Sequence, residues 1–177
     1  MRIAVLSLPT LARRHQALVS GVLFQLGWFL CVLGGSMVAL PVTLCIVGLH
    51  LLCHERRRHE FRFIVVVTLI GLLSDWLLLR LSVLQPQPEA LLQPLWLLCL
   101  WPLFATTFAT TLRWFRQRSL LTNAILGGLA APLSYLGGSH LAGVALMQPT
   151  GLALAVIGVI WAMVFPLLIL VYERRLS

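Results

Sequence analysis

An all-α bundle of six transmembrane helices is the architecture this sequence predicts, on three observations. Apolar residues make up 60% of the 177 residues and charged residues only 10%, far less charge than the surface of a soluble domain carries. Apolar runs of about 18 residues or more recur along the whole chain, as in membrane-crossing helices. The strict alternation of a membrane β-barrel is absent.

Residues 1–16, MRIAVLSLPTLARRHQ, read as a cytoplasmic tail. Their apolar stretch from Ile3 to Leu8 is too short for a signal-peptide core, and Pro9 ends it. Residues 17–53 hold no arginine or acidic side chain. One helix of that length would measure about 55 Å against a hydrocarbon core of about 30 Å. A break at Gly34-Gly35-Ser36 resolves the excess. It gives a first helix over 17–34 and a second over 37–53, with Pro41 in its tolerant first turn.

His54 to Arg62 then form a charged loop, and a third helix covers 63–84. Gln85-Pro86-Gln87-Pro88-Glu89 marks a turn. The fourth helix covers 90–112 and the fifth 119–138, with Arg113, Arg116 and Arg118 between them. Residues 139–149 read as a loop, the sixth helix as 150–172, and 173–177 as a cytoplasmic tail. The membrane domain is thus 17–172. All 13 basic residues are arginine. With both termini cytoplasmic, every arginine except Arg80 falls inside, as the positive-inside rule requires.

The net charge of +8 does not indicate nucleic acid, because the arginines sit in short loops where they meet anionic headgroups. Cys31, Cys45, Cys53 and Cys99 lie in apolar segments without a CxxC pair, so they read as packing residues. His50 and His54 share a helix face at i, i+4, the spacing of a metal pair. The sequence offers no convincing carboxylate as third ligand, so an interfacial histidine cluster is expected, with no metal and no cofactor. No GxSxG, HExxH, P-loop or dinucleotide fingerprint occurs, and the chain leans away from being an enzyme.

The strongest functional pointer is Asp75, a carboxylate inside an apolar segment, where its cost demands a partner or a purpose. Thr68, Gly71, Asp75 and Ser82 fall on one face of the third helix, which should look into the bundle. Asp75 reads equally as a working group or as a hydrogen-bonded lock on helix packing. Arg80 points about 140° away from it and should snorkel outward. Gln25 on the first helix is placed to hydrogen-bond across helices, worth about 0.6 kcal/mol.

On the fourth helix, Thr106 is placed to return its hydroxyl to the region freed by Pro102. Thr107, Thr110 and Thr111 could line a polar groove beside it. Prolines 102, 132 and 166 suggest kinks and a cavity. The small residues of the fifth helix, with Asn123 and Tyr135 as its polar members, suggest a close-packed central helix. Trp28, Trp76, Trp101 and Trp161 fall near mid-membrane, where indoles either pack or wall a site. Trp28, Trp101 and Trp161 are the candidate cavity wall. Asp75, Gln25, Thr106, Thr110 and Tyr135 form the candidate polar site.

The string Phe24-Gln25-Leu26-Gly27-Trp28-Phe29-Leu30-Cys31-Val32-Leu33-Gly34 resembles the opening of a bacterial family of small integral membrane proteins that carry only a domain-of-unknown-function label. Gly71-Leu72-Leu73-Ser74-Asp75, Pro94-Leu95-Trp96-Leu97-Leu98 with Trp101, Phe104-Ala105-Thr106-Thr107, and Gly128 through Pro132-Leu133-Ser134-Tyr135-Leu136 resemble its later segments. The resemblance covers residues 20–172 and lends no catalytic residue. It implies a multi-pass protein of the bacterial inner membrane. It also implies gene company with enzymes like cyclopropane-fatty-acyl-phospholipid synthases and amine oxidases.

The leading expectation is therefore an accessory to membrane-lipid modification or lipid-stress response. Its partners would be membrane lipids and a lipid-modifying enzyme. The alternative is a small, proton-coupled transporter using Asp75. A third reading is an intramembrane enzyme, for which Tyr135 and His140 are the outer-half candidates for a second group, at depths that match Asp75 poorly. The oligomeric state is left open by the sequence.

Overall fold

The computed structural model describes residues 8–86 and 94–174, with side chains from residue 15 onward. The first helix, α1, runs Leu8–Cys53 and is broken at Gly35, whose φ of 63° lies in the left-handed region. Glycine adopts that conformation without a Cβ clash. The break is a full reversal. Cys31 Sγ and Thr43 Oγ1 lie 3.9 Å apart, whereas twelve residues of straight helix span about 18 Å. α1 is therefore a hairpin of two antiparallel arms, as the excess length of 17–53 requires.

The other helices are α2 (Arg57–Arg80), α3 (Leu95–Ala105), α4 (Leu120–Ala142) and α5 (Thr150–Arg174), with a 3-10 helix over Thr111–Gln117. Four helices, α1, α2, α4 and α5, are long and apolar enough to cross a membrane. The two arms of α1 make the bundle six-segmented, with the shorter α3 as the remaining apolar segment.

The boundaries depart from expectation in instructive places. The residues from Arg57 to Arg62, expected as loop, form the first turns of α2. Arginine, histidine and glutamate are adequate helix formers, so the helix extends past the apolar stretch. α2 stops at Arg80 rather than 84. Ser82 takes φ 56°, while Val83 N donates to Leu78 O and Ser82 N to Leu79 O, which ends the helix in a left-handed turn.

The segment expected as one helix over 90–112 is α-helical only from Leu95 to Ala105; its expected start, like residues 87–89 of the turn, lies outside the described residues. Beyond Ala105 the backbone tightens to bonds three residues back, as in Thr106 N to Leu103 O and Thr107 N to Phe104 O. α4 continues to Ala142, past the expected 138.

Leu84–Pro86 (β1) pairs antiparallel with Val144–Leu146 (β2), Leu84 opposite Leu146. Leu84 is expected as the end of the third helix, Gln85-Pro86 as turn and 144–146 as loop. This two-stranded staple joins the α2–α3 and α4–α5 connections, and its end of the bundle is the sheet end. At the opposite end Tyr172 donates to Glu60 and the Arg116 guanidinium lies 5.0 Å over the Tyr172 ring. This arginine end thus gathers the arginine-rich start of α2, the 3-10 helix and the last turn of α5. Arg80 lies at the sheet end, 5.4 Å over the exposed Trp76 ring.

The central helix is α3, not α4. Trp96, Leu97, Cys99, Trp101, Leu103 and Ala105 are all buried. α4 buries one face, while Leu121, Ile125, Leu129 and Leu133 are 52–71% exposed on the other. Its closest small-residue contact is with α5. The α-carbons of Gly128 and Gly158 each face the other's carbonyl closely enough that an added Cβ would sit 2.9–3.1 Å from it. Such small-residue seams hold membrane helices together by backbone proximity. Replacing Gly158 by valine is expected to push α4 off α5 and cost about 1–3 kcal/mol, read as a lowered midpoint of detergent or thermal unfolding.

Hydroxyls stitch the remaining helices. Thr43 donates to Cys99 O at 3.4 Å, tying the second arm of α1 to α3. Thr111 donates to Ala17 O at 2.8 Å, tying the first arm to the 3-10 helix. Asn123, fully buried, donates to Phe115 O at 3.1 Å.

Candidate functional site

Asp75 is completely buried and lies five residues from the sheet end of α2, about 8 Å along the axis. That is nearer this end than the expected boundaries gave. Both of its oxygens are engaged. Trp101 Nε1 of α3 donates to Oδ2 at 2.7 Å. Tyr135 of α4 donates its hydroxyl to Oδ1 at 2.6 Å. Buried donors of this kind are costly to leave without an acceptor, and together the two bonds join three helices at one carboxyl group.

The arrangement closes on itself through Trp161 of α5. Its ring stacks on Trp101 at 5.1 Å and 12° and meets Tyr135 edge-on at 6.4 Å. On the other side, the Trp101 indole lies directly over Gly71, where any Cβ would occupy the same space. The glycine of the predicted stripe thus makes room for the ring that Asp75 orients. Thr68 and Ser74 only return their hydroxyls to Ile64 O and Ile70 O, and Ser82 lies beyond the helix.

In front of this wall is a cavity of about 360 Å³. Trp28, Trp101 and Trp161, the three tryptophans singled out from the sequence, all line it, and Tyr135 does too. Phe24, Trp28 and Val32 from the first arm of α1 form one side. Leu126, Ala130, Ser134 and Ser139 of α4 form the opposite side, a run of about 20 Å along that helix. Ala130 and Ser134 are exposed, so the cavity is a groove, lined by α1 and α4 among others, that is open beside α4. Its lining is almost wholly apolar. Asp75 lies behind it, screened by the side chains it holds.

The other polar candidates lie apart from Asp75. Gln25 is exposed on the outer surface of α1. Thr106 donates to Leu103 O at 2.7 Å and Thr107 to Phe104 O at 2.6 Å, three residues back rather than into a groove. They terminate α3 instead of compensating Pro102. The buried Thr110 hydroxyl has no hydrogen-bond partner among the described residues. Tyr135, judged too distant in depth, is in direct contact with Asp75. His140 is exposed.

Sequence reasoning also missed Glu60. Placed in a charged loop, it is 2% exposed. It accepts from Tyr172 on Oε1 at 2.9 Å, and its Oε2 lies 3.0 Å from His50 Nε2. The available signal was the i, i+4 histidine pair one short turn upstream.

Residues 17–167 match the model of a family described as a protein of unknown function, DUF2878. No curated protein and no solved structure shows significant similarity to the chain.

Proposed function

The chain belongs to the DUF2878 family, whose description supplies no activity, and from the geometry of the groove we propose that the protein binds a membrane-lipid chain as an accessory to lipid modification or lipid-stress response. The observation that carries this reading is the indole-walled groove between α1 and α4. Its length of about 20 Å and its apolar lining suit an extended hydrocarbon chain. Its lateral opening suits entry from a bilayer. The partners would be membrane lipids and an enzyme that modifies them. The gathering of arginines at one end supports a cytoplasmic placement of that end, in the inner membrane of a bacterium.

Proton-coupled transport through Asp75 is the alternative. It requires water at the carboxylate, and the hydrogen bonds from Trp101 and Tyr135 favour a positioning role over a titrating one. An intramembrane enzyme would use Asp75 with Tyr135. The lining of the groove is almost wholly apolar, and of that pair Tyr135 lines it while Asp75 lies behind, which supports lipid binding above catalysis.

The test is photo-crosslinking of the protein in bilayer nanodiscs with a phospholipid bearing a diazirine on its acyl chain. Adducts are expected on Trp28, Ala130 and Ser134 as well as on outward residues such as Leu129. Ala130→Trp fills the groove. It should cut the groove adducts by at least about fivefold, the population change that ~1 kcal/mol of steric exclusion produces, and leave those on Leu129 unchanged. In a deletion strain, lipid mass spectrometry should show a changed profile restored by the native chain and not by Ala130→Trp. Groove adducts indifferent to Ala130→Trp would defeat the binding reading, and an unchanged lipid profile the accessory role.

A further inference from the structure

The arginine end carries a cluster with no part in the groove. His50 lies in the last turn of α1 and His54 just beyond it, their rings 4.8 Å apart. Glu60, from the first turn of α2, is buried and presents Oε2 3.0 Å from His50 Nε2. Its other oxygen is fixed by the Tyr172 hydroxyl of α5. A ligand atom from each of His50, His54 and Glu60 lies within 4.8 Å of the other two.

We propose that His50, His54 and Glu60 form a zinc-binding site at the arginine end of the bundle. Two imidazole nitrogens and one carboxylate oxygen are a donor set that zinc takes when it keeps a fourth position for water. Tetrahedral zinc at about 2.0–2.1 Å from each ligand places its ligand atoms about 3.3 Å apart. The His50–Glu60 edge, at 3.0 Å, is already close to that length. The widest separation, 4.8 Å, exceeds it by about 1.5 Å, within reach of a rotation of His54, which follows the end of α1 and is only partly buried.

Two further features fit a dication. Glu60 is a buried carboxylate held by His50 and by the Tyr172 hydroxyl, neither of them a permanent cation. A buried carboxylate is costly without strong compensation, and zinc supplies it. The Tyr172 hydroxyl occupies Oε1 and leaves Oε2 for the metal, the outer-shell arrangement by which metal-binding carboxylates are oriented. Bound zinc would clamp the end of α1, the start of α2 and the end of α5 together.

The probe is Zn²⁺ alone, titrated into the full-length protein in nanodiscs, with retained metal counted by elemental mass spectrometry. Native protein is expected to hold one zinc per chain. His54→Ala, at a partly exposed position that leaves the helices intact, should weaken binding by at least about 100-fold. Tyr172→Phe, which removes only the orienting bond, should weaken it by about tenfold, the lower range for outer-shell partners. His140→Ala, at the sheet end, should bind as native. No retained zinc in the native protein, or equal affinity in His54→Ala and native, would overturn the site. Neither result bears on the groove.

Discussion

Asp75→Ala is expected to destabilise the protein by about 3 kcal/mol, the largest effect of any single polar replacement. The change leaves the buried Trp101 N–H and Tyr135 O–H without their acceptor. Each orphaned donor costs roughly 1–3 kcal/mol in proteins generally. Measured hydrogen bonds within membranes average lower, at about 0.6 with a maximum near 1.7 kcal/mol. Two bonds to one carboxylate, plus the small void left by truncation, place the sum near 3. Asp75→Asn keeps one acceptor oxygen and sets its amide against the other donor, so its loss should be about half. The measurement is the unfolding midpoint in mixed detergent, read by tryptophan fluorescence. A loss below about 1 kcal/mol for Asp75→Ala would show that the carboxylate does not hold the wall. Released from Asp75, Trp101 is also expected to tilt into the groove, so lipid adducts on Trp28 should fall in the same variant.

Gly71→Ala should be comparably damaging by the opposite physics. The new methyl group would occupy the position of the Trp101 indole. That ring cannot retreat, because Trp161 is stacked on it and Asp75 fixes its nitrogen. Overpacking of a rigid core costs roughly 1–3 kcal/mol and on occasion more, and this position belongs at the upper end. A double variant provides the check. Trp101→Phe alone loses a hydrogen bond and should be destabilising. Combined with Gly71→Ala, the smaller ring makes room for the methyl, so the pair should cost less than the sum of the singles. Coupling between touching residues commonly reaches about 0.5–3 kcal/mol. Strict additivity would mean that Gly71 is not a seat for the ring.

What could be read from the chain follows from what leaves a local mark. The α1 hairpin was legible because an apolar run too long for one crossing has to fold, and Gly35 is where backbone permits it. The arginine asymmetry was legible because charge segregates by loop. β1 and β2 were not, since three-residue strands have no periodicity and Gln85-Pro86 mimics a turn. The end of α3 at Ala105 was hidden too, because the residues from Thr106 to Leu112 carry no charge, glycine or proline to mark a stop, while most of their hydrogen bonds shorten to three residues.

At the site, Asp75 announced itself by its cost, and Trp28, Trp101 and Trp161 by their depth. Their assembly could not be read, because Asp75 is 26 residues from Trp101 and 60 from Tyr135. Glu60 was missed for the reverse reason. Its neighbours Arg56, Arg57, Arg58 and Arg62 suggest a solvated loop, and only the packing of α5 beside α2 shows that it is enclosed.

Those same separations impose a timetable on biosynthesis. At about 5–20 residues per second, Tyr135 leaves the ribosome some 3–12 s after Asp75. During that interval α2 enters the bilayer carrying an acid whose partners do not yet exist. An aspartate costs up to about 2.5–3.5 kcal/mol at a helix centre, less near an end, against gains of about 0.3–0.6 for each leucine, isoleucine, phenylalanine or valine. The apolar residues of α2 that the bundle leaves exposed, among them Val65, Leu69, Leu73 and Leu77, supply that gain without being needed for packing inside the protein. They carry the helix across the membrane while Asp75 waits for its partners, so trimming them should harm insertion in variants whose finished fold would have been stable.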